Sequence, residues 1–479
     1  MERPKGSFFV LDILFYHETP EGRSSMHVPD VPILWALPFA FLLGCIAIVP
    51  LVSPHFWERV YPLLSLAFGL IVVALYLTLL NTPETHHYGP HKLALTAIEY
   101  AGFIALVGSL FIVASGIYLD VQAKPSPMLN TGLLGVGCVI ANIMGTAGAS
   151  MLLIRPYLRI NKGRMRPYHV VFFIFLVSNM GGGLLPIGDP PLFLGYLKGV
   201  PFFWLFDRVV FVWLFAVGLI LLIFYLFERM ASKAEAKKSP SPGTVMPGGK
   251  NFVLMGKRNL GWLIAILALV LAQNPLVRAG LSVEVVTLAT SGLMVLVSLL
   301  ALKTANKDAL AKNAFNFHPI REVAILFAGI FATMMPALDY LERNAAHLGL
   351  SHPLQFYFGS GALSGFLDNA PTYLNFLSAA FGLFGKSVDN RAHMNEFLTT
   401  PELALFIEAV SMGCVFFGAM TYIGNAPNFM VKSIAESLGV PTPSFLGYIM
   451  KYSIPILLPV LALVGFLFFG PLGVSNLLQ

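Results

Sequence analysis

Apolar stretches of membrane-spanning length recur along the whole chain, and they leave few folds open. They lie near 31–52, 57–80, 93–118, 168–197, 202–228, 259–274, 283–302, 320–341, 402–434 and 445–472. A straight helix needs about 20 apolar residues to cross a hydrocarbon core about 30 Å thick. Two further stretches, about 128–158 and about 353–383, carry Gly, Pro or polar residues near their centres. These suit re-entrant hairpins better than straight spans. The chain is 57% hydrophobic and only 11% charged, against about 25% charged in soluble domains. The sequence predicts an all-α polytopic membrane protein with about 10 full spans plus two hairpins.

Charge then sets orientation. The segment from Arg155 to Pro167 holds Arg155, Arg159, Lys162, Arg164 and Arg166 without an acid. The segment 229–258 is also basic, with Arg229, Lys233, Lys237, Lys238, Lys250, Lys257 and Arg258. Lys303, Lys307, Lys312 and Arg321 mark a third basic loop. Positive loops stay on the cytoplasmic side. The net charge of +6 is therefore a loop property and gives no reason to expect a nucleic-acid partner. Cys45, Cys138 and Cys414 all fall in apolar segments, without metal or disulfide spacing. His86, His87 and His91 resemble a metal cluster, but a solvated outer loop explains them.

The two halves echo each other in order. Glu99 opens EYAGFIALVGSLFIVASGI, and Glu322 opens EVAILFAGIFATMMPAL. Polar tips follow, Gly145–Ser150 and Asp368–Thr372. Each half then has a span broken by Gly and Pro: Ile187-Gly188-Asp189-Pro190-Pro191 and Ile423-Gly424-Asn425-Ala426-Pro427-Asn428. The domain reading is an N-terminal segment 1–30, a first repeat 31–228, a basic cytoplasmic linker 229–258 and a second repeat 259–479. The first repeat has its hairpin at about 128–158 and its unwound helix at about 168–197. The second has them at about 353–383 and about 402–434. Each half crosses an odd number of times, so the repeats have inverted topology. Paired Gly/Pro-interrupted helices in inverted repeats point to a secondary transporter with its site near the midplane.

Unwound backbone at membrane depth survives only when it is buried in protein or lines a cavity. A carboxylate there costs about 2.5–3.5 kcal/mol on insertion scales. Two acids stand at such positions, Asp189 in a broken helix and Asp368 at a hairpin tip. Neutral oxygen donors surround them in sequence: Asn142, Thr146, Ser150, Ser178, Asn179, Asn369, Thr372, Asn425 and Asn428, with backbone at Gly188. Oxygen-only ligands suit a hard cation such as sodium. The expected sodium ligands are Asp189, Asp368, Thr146 and Asn369. Glu408, Glu99 and Glu322 are candidate proton sites. Glu99 and Glu322 lie near predicted helix starts, where a carboxylate complements the helix dipole.

At these residues the chain resembles the ion transporter superfamily of divalent-anion/sodium symporters, citrate transporters, arsenite carriers and NhaD-type sodium/proton antiporters. The resemblance covers nearly the whole chain. It rests on GFLDNAPTYLNFL, SMGCVFFGAMTYIGNAPN, SNMGGGLLPIGDPP and EVAILFAGIFATMMPAL, and is nearest the NhaD-type branch. It implies a fold of two inverted repeats, a homodimer, and an elevator-like movement of a transport domain past a scaffold. In the dicarboxylate branch both hairpin tips carry Ser-Asn-Thr. Here the aligned residues are Met144-Gly145-Thr146 and Asp368-Asn369-Ala370. That branch's Thr-Pro-Pro reads Asp189-Pro190-Pro191. Two acids stand where an anionic substrate would need neutral donors, and like charges repel strongly in a poorly solvated site.

The expected function is a sodium(lithium)/proton antiporter of the cell inner (plasma) membrane, not an enzyme. Its partners are sodium or lithium ions, protons and the bilayer. No cofactor is expected beyond sodium as transported or coupling ion. The alternative is a sodium- or proton-coupled citrate/dicarboxylate symporter of the same fold.

Overall fold

The computed structural model describes residues 29–82, 87–238 and 251–471. The expectations for residues 1–28, for 239–250 of the linker and for His86 lie outside the described residues. The described chain is helical almost throughout: an all-α polytopic membrane protein. Among the described residues, ten helical segments are long and apolar enough to cross a membrane, one of them, Pro127–Ile160, being kinked at Gly145. Nine of the ten sequence-predicted spans are among them. The predicted span 168–197 is not, because its middle is unwound; the segment Pro127–Ile160 takes its place in the count.

In chain order, α1 is Leu37–Val52, α2 Pro54–Leu79 and α3 Tyr88–Ser115. Strand β1, Tyr118–Gln122, precedes α4, Pro127–Ile160. Then come α5, Pro167–Leu176, α6, Pro190–Leu197, and α7, Trp204–Lys238. Strand β2, Asn251–Met255, leads into α8, Lys257–Arg278, α9, Val283–Thr304, α10, Lys307–Lys312, and α11, His318–Asn344. The chain closes with α12, Pro353–Ser364, α13, Asn369–Gly382, α14, Arg391–Thr399, α15, Pro401–Phe417, α16, Ala426–Ser437, and α17, Phe445–Phe469.

Two of these helical segments reverse direction. Within α4, Gly145 has φ +79° and ψ 155°, a region that only glycine visits without strain. The two arms of α4 then lie side by side. Asn130 Nδ2 donates to Asn161 Oδ1 at 2.8 Å, and Asn161 Nδ2 returns the bond at 2.9 Å. A straight helix would hold those residues about 46 Å apart. The second reversal separates α12 from α13 at Gly365–Asp368, and the Phe356 and Phe376 rings of the two arms sit 6.3 Å apart. Asp368 caps α13: its Oδ1 accepts from Ala370 N at 3.0 Å, as an N-cap carboxylate does.

Burial separates an outer layer from a centre. Residues are 17% buried along Ile33–Pro50 and 89% buried along Pro401–Met420. The outer layer pairs α3 with α9 and α2 with α11, and adds α1 and α8. The centre holds both arms of α4, the pair α12 and α13, and the broken helices α5/α6 and α15/α16. Two outer helices, α3 and α11, also make broad contact with the centre, α3 against α4 and α6, α11 against α13. A lipid-facing surface explains the exposed Phe56, Leu63, Leu66 and Leu70 along α2.

The sequence reading did not foresee a sheet. β1 and β2 pair antiparallel, with Tyr118 opposite Met255 and Gln122 opposite Asn251. The far end of the predicted linker is thus tied to the first half. The α4 terminus joins it: Arg159 Nη1 donates to the Tyr118 hydroxyl at 2.5 Å and lies 3.2 Å from Asp120.

Candidate functional site

The two broken helices unwind for the same physical reason. Between α5 and α6, Gly182 and Gly188 press backbone on backbone. A Cβ on Gly188 would lie 2.2 Å from the Gly182 carbonyl oxygen, and one on Gly182 would lie 2.6 Å from that of Gly188. Gly418 and Gly424 make the corresponding crossing after α15, where a Cβ on Gly424 would lie 2.6 Å from Gly418 O. Each crossing delivers the next residue to the start of a short helix: Asp189 before α6 and Asn425 before α16. Pro190 and Pro427 follow, at helix positions where a missing N–H costs nothing.

Asp189 is the centre of the constellation. It is 2% exposed. Its Oδ1 accepts from Thr146 Oγ1 at 2.8 Å and from Asn425 Nδ2 at 2.9 Å. Its Oδ2 accepts from Asn369 Nδ2 at 2.5 Å. One carboxylate is therefore touched from the α4 reversal, the α12/α13 reversal and the second broken helix. Thr146 N also donates to Gly188 O at 2.9 Å. Asp368 immediately precedes Asn369, whose side chain bonds Asp189. It is half-buried, with no contact to Asp189 among the hydrogen bonds it makes.

The surrounding asparagines divide by role. Asn142 Nδ2 donates to Gly181 O and Cys138 O, while its Oδ1 accepts from Leu184 N and Leu185 N. Asn428 Nδ2 donates to Gly418 O and Thr421 O, and its Oδ1 accepts from Asn179 Nδ2 at 2.6 Å. These two satisfy the unwound backbone. Asn179 and Asn369 differ: each keeps a buried side-chain carbonyl oxygen with no hydrogen-bond partner. Both side chains converge on Gly418, whose Cβ position lies 3.0 Å from Asn179 Oδ1 and 3.6 Å from Asn369 Nδ2. A buried acceptor left unpaired costs about 1–3 kcal/mol. A hard cation beside the carboxylate would remove that cost.

The remaining predicted residues fall at graded distance. The Ser150 and Ser178 hydroxyls are 2.8 Å apart, and Ser178 O accepts from Asn425 Nδ2 at 3.3 Å. Thr372 turns its hydroxyl to Asp368 O at 2.9 Å. Glu408 is buried in α15. Glu99 and Glu322 lie elsewhere. Glu322 neighbours His318, 4.0 Å away, near one end of α11. Glu99 was expected near a helix start, and this is corrected: α3 begins at Tyr88, so Glu99 stands in mid-helix, 2.6 Å from Lys198 Nζ.

That lysine opens a network the sequence reading missed. Lys198 Nζ lies 2.5 Å from Asp389 Oδ1, and Lys92 Nζ lies 2.7 Å from Asp389 Oδ2. Lys92 also lies 3.1 Å from Asp339, which accepts from the Tyr76 and Tyr88 hydroxyls at 2.6 and 2.8 Å. Charges alternate along Lys92, Asp389, Lys198 and Glu99. The outer members sit on α3; the inner two end α6 and follow α13. Among the described residues, no group of three or more His, Cys, Asp or Glu side chains is arranged to hold a metal.

A family model, CitMHS_2, described as “Putative citrate transport”, matches residues 28–469. Comparison with curated proteins gives no match.

Proposed function

We propose that this chain, which belongs to the CitMHS_2 citrate-transport family, exchanges sodium or lithium for protons across the inner membrane of the cell. Family membership makes it a multi-pass membrane transporter; the exchanged ions are our reading. One observation carries it: a buried carboxylate, Asp189, held by three neutral side chains beside two unpartnered amide oxygens, with a second acid nearby. A cation satisfies all of these groups at once. An anion would meet the charges of both Asp189 and Asp368, and the side chains that bond Asp189 include no cation to offset them.

Asp189 binds the cation with Thr146, Asn369 and Asn425 as its positioning partners. Asn179 and Asn369 offer carbonyl oxygens, and Asp368 adds negative charge from the α13 cap. A proton and a sodium ion compete for the same carboxylate, so loading one releases the other. Two features support alternating access by inverted repeats. The outer helices exchange partners between halves, α2 with α11 and α3 with α9. The paired reversals and paired breaks also meet at one point, which favours re-entrant hairpins and a moving centre.

Sodium binding to purified protein tests this reading. Binding should weaken as pH falls, because protons compete, and Asp189→Asn should lose it. Binding that ignores pH and survives Asp189→Asn would remove the site. The family description favours a second reading, citrate symport. Sodium-dependent uptake of labelled citrate, without proton release by sodium alone, would establish it.

A further inference from the structure

The centre of the molecule buries another acid that the Asp189 site does not use. Glu408 stands in the middle of α15, 2% exposed. Its Oε1 has no hydrogen-bond partner. The cation nearest it is Arg208 on α7, whose Nη1 lies 3.8 Å from that oxygen, beyond hydrogen-bond length. Few other charges stand near it; on α15 itself Glu402 lies six residues away, near the helix start. Among the described residues, α6, α12, α13 and the α17 end that pack on α15 carry no charged side chain. On α14, Glu396 pairs with Lys386 at 2.6 Å, His393 accepts from Ser387 N, and Arg391 is the remaining cation. On α7, Asp207 adjoins Arg208, and the next charge, Glu228, lies about 30 Å along the helix. A buried carboxylate with one loose partner is costly unless it is neutralised.

A small cavity lies between the helix of this acid and the site. Ser411, one turn along α15 from Glu408, lines a cavity of about 10 Å³ with Tyr373 and Pro186, room for about one water molecule. Tyr373 lies one turn after Asn369, and Pro186 lies three residues before Asp189. The cavity thus sits between the elements that carry the two acids.

We propose that Glu408 is a separate proton-binding site. It takes up a proton when Arg208 is displaced and releases it when the guanidinium returns. Only a proton moves, between the Glu408 carboxylate and water. The role in transport rests on the antiport reading above: a proton held at Glu408 travels in addition to any proton exchanged at Asp189.

Infrared difference spectroscopy on the full chain, titrated with and without sodium, tests the protonation directly. A buried carboxyl stretch should vanish as pH rises. It should be absent from Glu408→Gln, restored in Glu408→Asp and retained in Asp189→Asn. Asp189 contributes a titrating band of its own, so the decisive comparison is made in the Asp189→Asn background: a titrating carboxyl band there that is unchanged by adding Glu408→Gln, or no such band there, overturns the proposal. In proteoliposomes Glu408→Gln should move fewer protons per sodium ion than the wild type; an unchanged ratio overturns the transport role. Should wild-type vesicles move no protons on sodium addition, the antiport reading fails while the infrared result still decides whether Glu408 binds a proton.

Discussion

Asp189 owes its position to two neighbours that have no side chain. Gly188 lets the backbone cross Gly182 at a distance no Cβ allows, and Asp189 follows immediately. Its carboxylate then depends on three donors from distant sequence. Asn369 is the most exposing to lose: Asn369→Ala leaves Oδ2 without its donor and removes an unpartnered oxygen from the site. A hydrogen bond to a charged group contributes about 1.5–3 kcal/mol, so sodium affinity should fall roughly 10- to 100-fold. Titration of sodium binding in purified Asn369→Ala checks this; wild-type affinity would take Asn369 out of the shell. These residues were legible because each is a polar interruption in an apolar run. The distinction among the asparagines was not. Asn142 and Asn428 look like Asn179 and Asn369 in sequence, and only the unwound backbone decides which oxygens remain unpaired.

At the scale of elements, the reversals were legible and the helix starts were not. Gly145 sits in a stretch with Gly and polar residues at its centre, and the chain does turn there. Its backbone angles make it hard to replace. Gly145→Ala places a Cβ in a strained conformation, 3.3 Å from Ile187 O, at a cost of about 1–3 kcal/mol. A thermal melt in detergent should show a lowered midpoint; an unchanged midpoint with full sodium binding would mean the reversal tolerates a side chain. Glu99 was misplaced because α3 starts at Tyr88, inside a His-rich connection that reads as loop. His87, just before it, has φ 56°. The β1–β2 pair escaped notice because each strand is five residues long, and their partnership spans the interval between the two halves.

The molecule as a whole is a centre held against a layer, and the alternating charges at Lys92, Asp389, Lys198 and Glu99 join the two. Such pairs are invisible to local sequence reading, since Asp389 lies 297 residues from Lys92 and 191 from Lys198. Burial works to raise the Asp389 pKa, but Lys198 and then Lys92 outweigh it and hold the carboxyl well below the usual carboxylate range. A depressed folded-state pKa gives stability that is present above the unfolded value, about 3.9, and is lost as pH falls through the folded one. Asp389→Asn should therefore destabilise the protein by about 3 kcal/mol at neutral pH. The gap in melting temperature should stay level from about pH 8 to about pH 5 and narrow only in stronger acid. A gap that closes near pH 6 would show that other groups carry the effect.

The central claim is that Asp189 exchanges a cation for a proton. Its most direct test uses the full chain in proteoliposomes containing a pH-sensitive dye, with a pH gradient imposed and sodium and citrate added separately. Sodium alone should shift the internal pH, and Asp189→Asn vesicles should stay silent. No response to sodium alone, with a response when citrate accompanies it, would contradict the account and make the same constellation an anion site.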